Sequence, residues 1–179
     1  MYSKEFLKEI PKTDLHLHLD GSLRLSTLID LAKQNKIELP SYTEEGLKQL
    51  VFKDRYENLV DYLKGFGYTV AVMQNSESLE RIAYELAWDS INDGVYYIES
   101  RFAPQLHIND NLSFENVMVA VNKGFSRAKS EYNKSDKVKS QGFPEFNYGI
   151  INCALRFFLP VFSSYYKKLF DVHTYSKAE

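Results

Sequence analysis

Three strand-like segments separated by helical stretches narrow the fold of this chain more than any other feature. The first, Thr13 to Ser22, reads Thr-Asp-Leu-His-Leu-His-Leu-Asp-Gly-Ser. Leu15, Leu17 and Leu19 alternate with Asp14, His16, His18 and Asp20, the period-2 pattern of a strand with one leucine face and one polar face. The second, Val95 to Phe102, is rich in β-branched and aromatic residues. The third, Tyr148 to Leu155, is nearly all apolar, as expected of a parallel strand covered on both faces. Strands that alternate with helices are joined by crossovers and lie in a parallel sheet. The predicted class is therefore α/β.

The intervening helices carry their own signals. Ser26 is placed to cap a helix bearing Leu28, Ile29, Leu31 and Ala32 that ends before Pro40. Thr43 is placed to cap a short one through Leu47 and Val51. Leu59, Leu63, Phe66 and Val70 fall at helical spacing, which periodicity alone reads as core, although Gly65 and Gly67 weaken the pattern. Leu79, Ile82, Ala83, Leu86 and Ala87 make a cleaner stripe that Asp93-Gly94 should stop. A further helix is predicted from Phe114 to Tyr132, with Lys129 to Gln141 as a polar loop. Glu99 and Arg101 share a strand face and are expected to form a buried ion pair. Cys153 is expected to be a small buried apolar residue.

Residues two apart on a strand lie roughly 6.5–7 Å apart on one face. His16 and His18 could thus lean onto one metal ion with bonds of about 2.0–2.1 Å. An isolated His-x-His is also compatible with a satisfied polar pair. Composition excludes several other functions. Twenty-two basic against 24 acidic residues leave a net charge of −2, so no basic footprint for nucleic acid or an anionic membrane exists. No run approaches the roughly 20 apolar residues of a membrane span. The single cysteine rules out an intramolecular disulfide, and the charged N-terminus lacks a signal-peptide core. A cytoplasmic location is expected.

Pro11-Lys-Thr-Asp-Leu-His-Leu-His-Leu-Asp-Gly-Ser22 resembles the first-strand signature of the adenosine deaminase family, metal-dependent purine deaminases built on a (β/α)₈ barrel. The similarity continues through Leu59–Phe66, Arg81–Leu86, Gly94–Pro104 and Tyr148–Arg156, in order, over most of residues 6–158. It implies an incomplete TIM-type barrel of about three β/α units over 1–158, followed by a divergent aromatic tail over 159–179.

The resemblance also implies roles. His16 and His18 would bind Zn²⁺. His18 and Asp20 would face the substrate, with Asp20 on the nucleoside sugar. Tyr62, Leu63 and Phe66 would close apolar side chains over it. The implied reaction is zinc-dependent hydrolytic deamination of adenosine to inosine, with adenine or a related purine as alternatives. The family's third zinc histidine and catalytic glutamate, in a His-Ala-Gly-Glu type motif, find no match; His107 and His173 are the other histidines, and neither sits in such a motif. No catalytic residue is therefore expected in this chain. Since a (β/α)₈ barrel takes roughly 250 residues, a truncated or frameshifted inactive remnant is a second expectation. A third is a half-barrel interaction module, self-associating through exposed sheet edges.

Overall fold

The computed structural model describes residues 2–155. Element order is α1 (Lys4–Glu9), β1 (Lys12–His18), α2 (Leu25–Asn35), α3 (Glu44–Leu50), α4 (Leu59–Val72), α5 (Ser76–Asn92), β2 (Val95–Phe102), α6 (Phe114–Asn133), α7 (Asp136–Lys139) and β3 (Asn147–Asn152), with a 3₁₀ turn at Pro104–Leu106. The strands form one parallel sheet in the order β1-β2-β3. The aromatic segment from 159 and His173 lie outside the described residues. No helix among the described residues is long and apolar enough to cross a membrane.

β2 organises the core. Its Tyr96, Ile98, Ser100 and Phe102 are buried, while Tyr97, Glu99 and Arg101 on the opposite face are only partly covered. Against the buried face pack α5, through Leu79, Ile82, Leu86 and Ile91, and α6, through Val117, Val121 and Phe125. Each such side chain contributes about 1.5–3 kcal/mol on burial. The two helices cross closely at Gly124, where a Cβ would stand 2.3 Å from the carbonyl oxygen of Glu80. Gly94 stops the segment after α5 as predicted, at φ +77°, with the carbonyl of Lys8 where a side chain would be.

Capping follows the sequence at Thr43, whose hydroxyl accepts the Gly46 N–H. It does not at Ser26, because α2 begins two residues earlier than a Ser26 cap would give, at Leu25. Arg24 takes the cap position, drawn there by a bidentate bond to Asp89 at 2.5 and 2.9 Å, and its carbonyl accepts the Leu28 N–H. The predicted loop from Lys129 is helical through Asn133 and again in α7. Tyr132, buried against Tyr96 and Trp88, extends α6 into that polar stretch. β3 ends at Asn152 and is half-exposed rather than covered on both faces. As the outer strand it has helices on one side only. Cys153 beyond it is half-buried.

Candidate functional site

The C-terminal ends of the parallel strands, where (β/α) barrels carry their chemistry, gather the polar residues singled out in the sequence. β1 does not reach this edge as a regular strand. Lys12, Leu17 and His18 keep one register with β2, but Thr13 and Asp14 between them are slipped one residue along it, leaving Leu15 and His16 unpaired. The expected all-leucine face is therefore broken: Leu15 is 54% exposed, whereas Leu19 is fully buried. Two side chains satisfy the irregular backbone. The Asp14 carboxylate accepts the His16 N–H at 2.9 Å, and the Arg101 guanidinium donates to the Leu15 carbonyl at 2.9 Å.

Arg101 is thus committed to the β1 backbone. Glu99 accepts from the Tyr97 hydroxyl at 3.3 Å, and no Glu99–Arg101 ion pair exists among the described residues. Each charged group is instead taken by another partner, Glu99 by the Tyr97 hydroxyl and Arg101 by the Leu15 carbonyl.

The His16 and His18 rings lie 5.3 Å apart, tilted by 41°. The chain then turns: the His18 carbonyl accepts from Ser22 Oγ at 2.5 Å and from the Gly21 N–H at 3.3 Å. The turn buries Asp20, whose Oδ1 has no hydrogen-bond partner. Burial pushes its carboxyl above the ordinary range, and the neighbouring His18 pulls it partway back.

Asp20 opens into a cavity of about 140 Å³ lined also by Gly21, Phe52, Tyr56, Tyr62, Gly65, Phe66 and Thr69. Tyr56, Tyr62 and Phe66 stack edge-to-face along one wall, with centroids 5.1 and 5.7 Å apart. Gly21 lies between the His18 side chain and the Phe66 ring, each 3.5 Å from where its Cβ would be. The structure thus brings Asp20, Tyr62 and Phe66 around one cavity, with the histidine pair beside it. Leu63, 48% exposed, is not in the lining. The stripe read from spacing as core faces outward at Leu59 and Leu63, while α4 buries Gly65, Thr69 and Val72. Phe52 and Tyr56 escape sequence reasoning because their segment has no periodicity.

His107 takes no part in this cluster. It is fully buried, its Nδ1–H donating to the Met73 carbonyl at 3.1 Å, and burial pushes its pKa down to about 4.

The three parallel strands and the helices between them make up a partial (β/α) barrel. The family model for adenosine deaminase matches residues 11–142, and the chain belongs to that family. The adenosine deaminase of Vibrio atlanticus is 45% identical over 123 residues, covering 69% of this chain and 37% of that protein. The chain spans between 16% and 38% of the length of the curated relatives it matches. Among solved structures, an Arabidopsis N6-mAMP deaminase superposes with a TM-score of 0.63 at 24% identity, covering 83% of this chain and 42% of that one. An amidohydrolase from Burkhoderia ambifaria with bound Zn superposes at 0.61 and 18% identity, over 83% of this chain and 37% of its own. These likenesses carry the fold.

Zinc can be tested against the donors present. A catalytic zinc keeps three or more protein ligands. His16 and His18 are two, and no group of three His, Cys, Asp or Glu side chains able to hold a metal occurs among the described residues. These residues alone do not make a catalytic zinc centre.

Proposed function

We propose that this chain binds a purine nucleoside at the C-terminal edge of its sheet and serves zinc-dependent hydrolytic deamination of adenosine to inosine. One observation carries the reading: Asp20, a buried carboxylate with one oxygen lacking a hydrogen-bond partner, lines a cavity shared with the rings of Phe52, Tyr56, Tyr62 and Phe66. A buried acceptor left unpaired is destabilising by about 1–3 kcal/mol. Sugar hydroxyls would supply the missing donors, while Tyr62 and Phe66 offer their rings to a planar base. An orphaned carboxylate beside stacked rings suits a nucleoside better than a bare purine such as adenine.

His16 and His18 are the residues that would contribute to a zinc shell. The remaining ligands and the acid that protonates the purine ring would come from outside residues 2–155. A cytosolic setting, with one free thiol at Cys153 and a near-neutral net charge, belongs to the same reading.

A second reading has its own support. Among the described residues nothing pairs with the outer edges of β1 and β3, and the Tyr97–Glu99–Arg101 face of β2 is partly open. A half-barrel of this kind would associate with another copy or chain along those edges. A concentration-dependent dimer in sedimentation would support it, and a monomer at all concentrations would exclude it.

Calorimetric titration with adenosine and with adenine tests the first reading. Asp20→Asn should weaken adenosine binding about tenfold or more and leave adenine unchanged. Equal losses for both ligands, or no adenosine binding by the unaltered chain, would overturn it.

A further inference from the structure

The cavity has two halves of different origin. Tyr62, Gly65, Phe66 and Thr69 stand on α4, a helix capped by the Asn58 side chain, which accepts the Asp61 N–H at 3.0 Å. Phe52 and Tyr56 stand on the irregular segment 51–58, and no helix or strand fixes where they point. The segment is held at its start, where the Val51 and Phe52 N–H groups both donate to the Leu47 carbonyl, and at its end by the α4 cap. Its middle is held by Lys53, whose Nζ lies 3.2 Å from Asp61 Oδ2 and 6.0 Å from the centre of the Tyr56 ring.

We propose that the Lys53–Asp61 pair is a latch that positions Phe52 and Tyr56 against α4 and so completes the base-facing wall of the cavity; this rests on the nucleoside reading above. Lys53 reaches from the segment to the helix and lies near the ring of Tyr56 on the way. Gly65 provides the surface on which Phe52 closes: a Cβ there would stand 3.1 Å from the Phe52 ring. With Phe52 on Gly65 and Tyr56 edge-on to Tyr62, the ion pair and the ring contacts hold the same geometry.

Asp61 also meets Lys64 Nζ at 3.4 Å. The two lysines differ in what they join. Lys64 lies on α4 with Asp61 and ties the helix only to itself, whereas Lys53 ties the segment to the helix. The Asp61 carboxyl is held below the ordinary range, with Lys53 the largest cause. A single ion pair that keeps part of its surface in solvent adds little to global stability. It has only to bias a short segment between seated and released positions, for which a small preference suffices.

The test separates positioning from charge. Amide hydrogen exchange on peptides covering 51–58 reads the latch without any ligand. Lys53→Met, which keeps the apolar stem, should speed exchange there about two- to fivefold and leave α5 and α6 unchanged. Lys64→Ala should change neither. In adenosine titrations, Lys53→Met should raise Kd by a similar factor of about two to five, and Lys53→Asp combined with Asp61→Lys should restore it. Unchanged exchange in Lys53→Met overturns the latch. Adenosine affinity equal to that of the unaltered chain overturns its role in binding. Absence of binding by the unaltered chain overturns the nucleoside reading instead, so the failures are distinguishable.

Discussion

His18 Nδ1 lies 3.8 Å from Asp20 Oδ1, a half-exposed imidazole beside a carboxylate whose residue is only 7% exposed. Proximity to His18 favours ionised Asp20, but burial disfavours it more strongly, so the folded carboxyl titrates above the unfolded value of 3.8. Between those two points the folded state holds more protons than the unfolded one. Stability therefore falls as pH rises from 3.8 through the folded value, and the full penalty is present at neutral pH. Asp20→Asn should melt at a higher temperature than the unaltered chain at pH 7, with the gap narrowing as pH falls toward 4. A lower melting temperature at pH 7 would show that the carboxylate stabilises the turn.

The histidine pair should hold zinc weakly, since two imidazoles are half of a tetrahedral shell. In equilibrium dialysis, His16→Ala and His18→Ala should each abolish that binding. Arg101→Lys should weaken it about tenfold, because a lysine cannot reproduce the reach of the guanidinium to the Leu15 carbonyl. Zinc retained by both histidine variants would move the metal elsewhere.

His107 predicts the opposite acid response from Asp20. Its folded pKa of about 4 lies below the unfolded 6.5, so the unfolded state gains the proton first. The stability it contributes is complete above pH 6.5 and lost as pH falls toward about 4. The span corresponds to at most about 3 kcal/mol. His107→Gln should lose less stability than the unaltered chain between pH 7 and 5 in urea titrations. Equal losses would place the acid sensitivity in other groups.

Two glycines should tolerate no side chain. Gly94→Ala meets a positive φ and the Lys8 carbonyl, and Gly124→Ala meets the backbone of α5 at Glu80. Each should lower stability by about 2 kcal/mol or more. By contrast, Gly67→Ala, with nothing within 4 Å of its Cβ, should stabilise α4 by about 0.5–1 kcal/mol.

What can be read from the sequence depends on where the information lies. The stripes of α5 and α6, the Thr43 cap and the Gly94 stop are local, and each forms as its residues predict. The two-histidine strand is recognisable as a site because ordinary core strands do not alternate leucine with imidazole. Its slipped register is not recognisable, since it depends on Arg101, 86 residues from Leu15. Phe52 and Tyr56 become wall residues only through Gly65 and Asp61 on the next helix. The outward face of α4 shows the limit of periodicity: spacing identifies an apolar stripe but not whether core or solvent receives it.

The slip in β1 begins and ends within the strand, so Lys12 and His18 keep the same alignment with β2 that an unbroken strand would give. Slack of this kind frees His16 from the ladder, while His18 stays paired with Arg101. The backbone at Leu15 and His16 is held by the Asp14 and Arg101 side chains in place of ladder hydrogen bonds. Variation at this edge is thus uncoupled from the folding of the layer beneath it.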